Sequence, residues 1–288
     1  MANLDGHDIV RVSPCGDIRW RNGGSPHHSL DVDDTGLIWA PIYVPNRRAQ
    51  GVQEREIFVD SVGVFDGETG EELENIDLLA LIREQNLEGI LPRYEAILDD
   101  VPHLNDVETL DAAMPDALPG LSAGDIMLSI RNHNQIWILD GETRALKWWM
   151  TGPMTGQHDP DFQPDGTITV YDNAAAGRSG TLTDGRDLGF HGGSRILRID
   201  PETREITVDY ETGPNSMFFS RFRGKHQVLE NGNVLVAESD AGRAMEVTPD
   251  GTVVWEYINA YDAENVAWMM DAIKYPEAMA GVVAGSCS

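Results

Sequence analysis

Five segments of this chain read alike, and their repetition restricts the fold more than any other feature. IVRVSPCGDIRW (9–20), SVGVFDGETGEEL (61–73), QIWILDGETRALKWW (135–149), RILRIDPETREITVDY (195–210) and AMEVTPDGTVVWEY (244–257) each carry alternating apolar residues, a tight turn and a second strand. Between them lie shorter strands opened by glycine turns: TGLIWAPIYV (35–44), AGDIMLSIRN (123–132), DGTITVYDN (165–173) and NGNVLVAES (231–239). Strand, strand and hairpin in repetition is the grammar of a four-stranded blade, so the expected class is all-β and the expected fold a β-propeller.

Successive hairpin turns stand about 50 to 75 residues apart, against roughly 40 to 50 in compact blade repeats. The excess is read as insertions in a single domain spanning 1–288. The largest insertion covers 75–119, where IDLLALIREQNL and PRYEAILDD show helical spacing of apolar residues. The first hairpin lacks a preceding pair of inner strands, so the count reaches five blades and a fraction. Six blades are expected, completed either by material before residue 1 or by a closing strand in VAWMMDAIKYP (266–276).

Charge narrows the partners. Asp and Glu number 48 against 21 Lys and Arg, a net charge of −27, which disfavours nucleic acid and anionic membranes. A surface of this kind fits solubility in a salty setting. No run of about 18 apolar residues is present to span a membrane, and MANLDGHDIVRV lacks the apolar stretch of a secretory signal. That leaves either a cytosolic protein or one whose export segment is not in this chain. Cys15 and Cys287 lie near opposite ends, where a closing ring would bring them together; a disulfide and two free thiols are equally good readings. Without CxxC, HExxH or a His-rich ligand cluster, neither a structural metal nor cysteine chemistry is expected.

Basic side chains at strand ends are the candidates for chemistry. His158 in GQHDPDF and His226 in GKHQVLENG each precede an inner strand at the same point of a repeat, and both are read as loop residues. His103 in PHLND precedes the next inner strand by a longer gap, and Arg178 lies in AAAGRSG after VYDN. An inner strand of about eight residues spans ~26 Å, so His158 and Arg178 should not meet along it. Arg195 in GGSRILRID is therefore a second cationic candidate. Asp172 and Asn173 could reach the same funnel. His27 and His28 in SPHHSLD organise a turn as readily as they touch a ligand.

The GQHDPDFQPDGTITVYDN, GKHQVLENGNVLVAESDAGRAMEVTPDGTVVWEY and NHNQIWILDGETRALKWW stretches resemble the nucleotide-independent bacterial arylsulfate sulfotransferases, over roughly 100–258 and weakly over the His-His segment. The resemblance implies a six-bladed propeller that moves a sulfuryl group from a phenolic sulfate ester to a phenol by a ping-pong route. Matched by motif, His226 is the histidine that becomes sulfated, with His158, His103 and Arg178 around it. Arg195, Asn173 and His28, which no motif assigns, are taken from their positions as the candidates to touch substrate. No cofactor or metal is implied, and the partners are small molecules, an aryl sulfate and a phenol; the oligomeric state is left open. Relatives of this kind are usually exported, which implies a periplasmic or extracellular setting. A non-catalytic binding propeller and a sulfate-ester hydrolase are the competing readings.

Neutral imidazole suits this work, because it is a nucleophile near pH 7 and its adduct is still a good leaving group. A second imidazole can pass a proton to the departing phenolate and take one from the incoming phenol. The guanidinium fork matches sulfate oxygens.

Overall fold

Three of the five hairpin turns are each organised by one aspartate. In the DGET and DPET turns, Asp66, Asp140 and Asp200 accept with Oδ1 from the backbone N–H groups two and three residues on. The bonds from Thr143, backbone and hydroxyl, hold the Asp140 carboxyl down at about 2. The reversals between the first and second strands use a glycine at positive φ instead, as at Gly36, Gly124, Gly166 and Gly232.

The computed structural model describes residues 2–4, 8–48, 56–91, 102–114, 118–175, 192–213, 216–277, 279 and 281. Among them, five antiparallel sheets follow chain order. The first has three strands, β1 (Ala2–Leu4), β2 (Asp8–Val12) and β3 (Ile18–Asn22). The second has β4 (Asp31–Val32), β5 (Leu37–Arg48), β6 (Glu56–Asp66) and β7 (Glu72–Asp77). After helix α1 (Leu78–Glu84) comes the third, β8 (Leu104–Thr109), β9 (Ile126–Ile130), β10 (Gln135–Leu139) and β11 (Leu146–Thr151). The fourth contains β12 (His158–Phe162), β13 (Ile168–Asp172), β14 (Arg195–Ile199) and β15 (Ile206–Glu211). The fifth contains β16 (Lys225–Val228), β17 (Val234–Glu238), β18 (Arg243–Val247) and β19 (Val253–Ile258).

The protein is all-β, in four-stranded meanders. The central strands β9, β10, β13 and β17 are buried at every residue, whereas the last strand β19 is exposed almost throughout. That gradient accounts for the apolar middle strands and for the polar residues of the outer strand β7, ELENID, whereas β19 exposes Val254, Trp255, Tyr257 and Ile258. All five hairpins and all four inner strands read from the sequence are present.

Two readings change. Among the described residues, the 75–119 span holds one short helix, capped by Asp77 accepting from Leu79 and Ala80 N–H, and then the strand β8, whose LNDVET sequence lacks strand-like apolar alternation. PRYEAILDD lies outside the described residues. Four sheets also begin with a strand of low apolar content that no apolar alternation announces, β4, β8, β12 and β16.

The chain divides into two units, Met1–Thr151 with Tyr275–Ser288, and Gly152–Lys274. In the first unit, Trp39, Val64, Leu78, Leu104, Leu128 and Trp137 belong to one buried cluster, and Ile9, Ile38, Ile42 and Phe65 to another. Cys15 takes part in a disulfide; Cys287 lies outside the described residues. In the second unit, Tyr171, Ile196, Tyr210, Phe218, Val236 and Met245 form the core. Gly224 abuts this core at φ +102°, where an added Cβ would stand 2.4 Å from the Tyr171 ring. Gly224→Ala is expected to destabilise the protein by at least roughly 1–3 kcal/mol, through overpacking and a backbone conformation alanine avoids. A lowered thermal midpoint by circular dichroism checks this.

Candidate functional site

A short polar strand opening a sheet pairs antiparallel with the second strand, so its first residues lie beside the second strand's end. His158 accordingly pairs with Tyr171, and His226 with Val236. His158 and His226 are strand residues, not loop residues. His158 also lies at the same end of β13 as Asn173, which removes the separation of ~26 Å expected along a single strand. Arg178 itself lies outside the described residues.

In the second unit the proton positions around His158 follow from its partners. The Arg223 backbone N–H donates to Nε2 at 3.1 Å, so Nδ1 carries the proton and donates to Asn173 Oδ1 at 2.8 Å. Asn173 in turn donates through Nδ2 to the carbonyls of Ser220 and Arg223. The buried Asn173 thus holds His158 against the Ser220 and Arg223 carbonyls. Arg195, the second cationic candidate, donates from Nε to Asp172 Oδ2 at 3.0 Å and pairs through Nη2 with the same oxygen. Its charge is thus held by a fully buried carboxylate.

His226 is enclosed, its side chain wholly out of solvent. Asp159 Oδ2 accepts from Nδ1 at 3.0 Å and also from the His226 backbone N–H. Nε2 stands 2.8 Å from Thr169 Oγ1, which accepts from Gln163 Nε2 at 2.8 Å. With Asp159 ionised, Nδ1 bears the proton; Nε2 faces the Thr169 hydroxyl, which donates to it from 2.8 Å, and Asp161 Oδ2 at 3.6 Å, beyond hydrogen-bond distance. Lys225 pairs with the other oxygen of Asp159.

Burial alone would raise the Asp159 carboxyl, but Lys225 and His226 outweigh it and hold the group well below the ordinary carboxylate range. A depressed folded value means Asp159 contributes its full stabilisation above the unfolded pKa of about 3.9 and loses it as pH falls toward the folded value. The gap in thermal midpoint between wild type and Asp159→Asn is therefore expected to be widest near neutrality and to narrow below about pH 4, followed by melts across pH.

Asp159, Asp161 and His226 also bring one ligand atom each within 4.8 Å of one another. A divalent ion could use this set, although the Lys225 ammonium already supplies positive charge to Asp159.

In the first unit His27, His28 and His103 gather. His28 Nε2 and His103 Nε2 stand 3.3 Å apart, and the His27 ring centroid is 4.9 Å from His28 and 6.3 Å from His103. His28 and His103 are partly exposed and share one hydrogen bond, so they cannot both carry a proton on these nitrogens without repulsion. His27 is buried, donates through Nε2 to Asp60 Oδ1 at 3.1 Å and packs edge-on to Tyr43. Asp60 Oδ2 accepts from the Leu104 backbone N–H.

Sequence reasoning missed Asp60, Asp159, Thr169 and Lys225. A signal existed for two of them: Asp60 interrupts the apolar run IFVDSVGVF, and Lys225 is one of only three lysines. A lone charge inside an apolar strand announces a buried partner.

The model of the arylsulfotransferase (ASST) family matches residues 5–260. The chain belongs to that family, which at family level makes it a sulfotransferase enzyme. No curated protein matches it. Among solved structures, a protein of unknown function from Bacteroides caccae aligns with TM-score 0.50 at 15% identity, over 94% of this chain and 75% of that one. Virginiamycin B lyase from Staphylococcus aureus aligns with TM-score 0.47 at 13% identity, over 92% and 74%. The Dos1 propeller aligns with TM-score 0.45 at 9% identity, over 88% and 53%. At 15% identity the Bacteroides likeness concerns the fold alone.

Proposed function

We propose that this chain moves a sulfuryl group from a phenolic sulfate ester to a phenol, without a nucleotide donor, with His226 as the transient carrier. Family membership supports the reaction class, and the observation that carries the assignment is the Asp159–His226–Thr169 chain, which leaves Nε2 as the lone-pair nitrogen. Nε2 attacks sulfur, the bond from sulfur to the aryl oxygen breaks, and the departing phenolate takes a proton from a neighbouring imidazolium. The acceptor phenol then gives its proton back to that imidazole as its oxygen attacks the same sulfur, the N–S bond breaks, and His226 returns to its starting state. His158, His103 and Arg178 serve as the surrounding acid, base and anion-holding groups in this reading, and the sheets are blades of a six-bladed propeller.

For the attack Nε2 must give up its bond to Thr169. The complete enclosure of the His226 side chain favours a second reading, a protein that binds an aryl anion without turning it over.

The test is incubation with p-nitrophenyl sulfate alone, followed by mass mapping, and then addition of phenol. A burst of nitrophenol with one sulfuryl group on the His226 peptide, discharged by phenol, is the expected result. An adduct on His28 or His103 would move the carrier, steady release without phenol would make the protein a hydrolase, and neither burst nor adduct would leave the binding reading.

A further inference from the structure

Two carboxylates outside the expected set do the same work in separate units. Asp159 lies in β12 where the register slips between His158 and Pro160, with φ +51°. Bulges re-aim side chains, and a non-glycine residue in the left-handed region persists only where its surroundings hold it there. Pro160 lacks an N–H, so this interruption of the ladder orphans no donor at that residue. The result is a carboxylate turned to the adjoining strand β16, where it meets the backbone N–H and Nδ1 of His226 and the Lys225 ammonium.

Asp60 repeats the arrangement. Paired across the sheet with Tyr43 and almost wholly buried, it accepts from His27 Nε2 with one oxygen and from the first N–H of β8, that of Leu104, with the other. In both units one carboxylate takes a ring N–H together with a backbone N–H of the following sheet's opening strand; for Asp159 the ring, His226, is on that strand, and for Asp60 the ring is His27, which precedes β4.

We propose that Asp159 and Asp60 are positioning residues that fix the proton of one imidazole each, Nδ1–H on His226 and Nε2–H on His27, leaving the opposite nitrogen as the lone-pair atom. For His226 this rests on reading it as the sulfuryl carrier. Asparagine at 159 cannot meet the same partners: its oxygen can face either the two N–H groups or Lys225, and its amide then confronts a donor. The imidazole loses its fixed tautomer and the negative charge that steadies it when cationic.

The experiment pairs nitrogen NMR of histidine-labelled protein with kinetics on Asp159→Asn and Asp159→Glu, and NMR alone on Asp60→Asn. Expected for Asp159→Asn are a His226 ring no longer confined to the Nδ1–H form and kcat lower by ~10²–10⁴-fold with donor KM within a few fold. Asp159→Glu should recover part of the rate and the tautomer; it also replaces the asparagine variant should that one not fold. Expected for Asp60→Asn is loss of the Nε2–H preference at His27. An unchanged tautomer in folded variants overturns the proposal, with or without a drop in rate. If His226→Ala were to keep activity, the carrier assignment would fail while the tautomer measurement still judged the positioning role.

Discussion

His226→Ala is expected to abolish phenol-dependent release of nitrophenol, with kcat lower by ~10⁴-fold or more, the scale seen when a nucleophile is deleted from a unit of interdependent groups. Among the described residues of the second unit, His226 has a carboxylate on Nδ1 and a rotatable hydroxyl, that of Thr169, on Nε2, whereas His158 Nε2 is held by the fixed backbone N–H of Arg223 and its Nδ1 by an amide. The fold should survive, at some loss. Asp159 keeps Lys225 and the residue-226 backbone N–H as partners, and Thr169 keeps Gln163. What is lost is packing volume and one partner for the Thr169 hydroxyl, of the order of 1–3 kcal/mol. Kinetics beside a melting curve separate the two effects. Retained turnover in the alanine protein would move the carrier to the His28–His103 pair.

Asp172→Ala should give the largest loss of stability. This fully buried carboxylate pairs with Arg195 and accepts from the backbone N–H groups of Thr155 and Ala174. Its removal leaves a nearly buried guanidinium without its counter-charge and two N–H groups without their acceptor, a change costing about 3–5 kcal/mol. Adding Arg195→Met to the same protein should recover part of that cost, because an apolar side chain of similar length needs no partner. Urea denaturation of the two single variants and the double variant measures the coupling. Simple additivity would show that the pair is not a unit.

The elements legible in the sequence were those whose signal is local. The DGET and DPET turns announce themselves through aspartates that bond two and three residues on, and β10, β14 and β18 through apolar runs that stay buried. The opening strands were illegible. HDPDF and KHQV are short and polar, and one holds a proline, so neither shows the alternation that marks a strand. Their pairing with β13 and β17 is what makes them strands. LNDVET was hidden for the same reason beside a segment with helical spacing.

The candidate residues divide in the same way. His158 and His226 stand out through their recurrence at repeat starts, because the repeat itself is written along the chain; His103 stands at a longer gap, and His28 reads as readily as a turn residue. Their roles are not written there. Arg195 looked like an anion ligand and is neutralised by Asp172; Asn173 looked like a substrate contact and holds His158. Asp60 and Asp159 went unnoticed, although each decides where a histidine keeps its proton.

The sequence by itself determined the all-β class, the turns and the repeated unit, because turn chemistry and apolar periodicity act between residues a few positions apart. Only the tertiary structure decided which nitrogen of each imidazole is a donor, since Asp60 and His27 are 33 residues apart and Asp159 and His226 are 67 apart. A hydrogen bond senses distance in space, and no local pattern encodes which distant carboxylate the fold will bring within three ångströms of a ring.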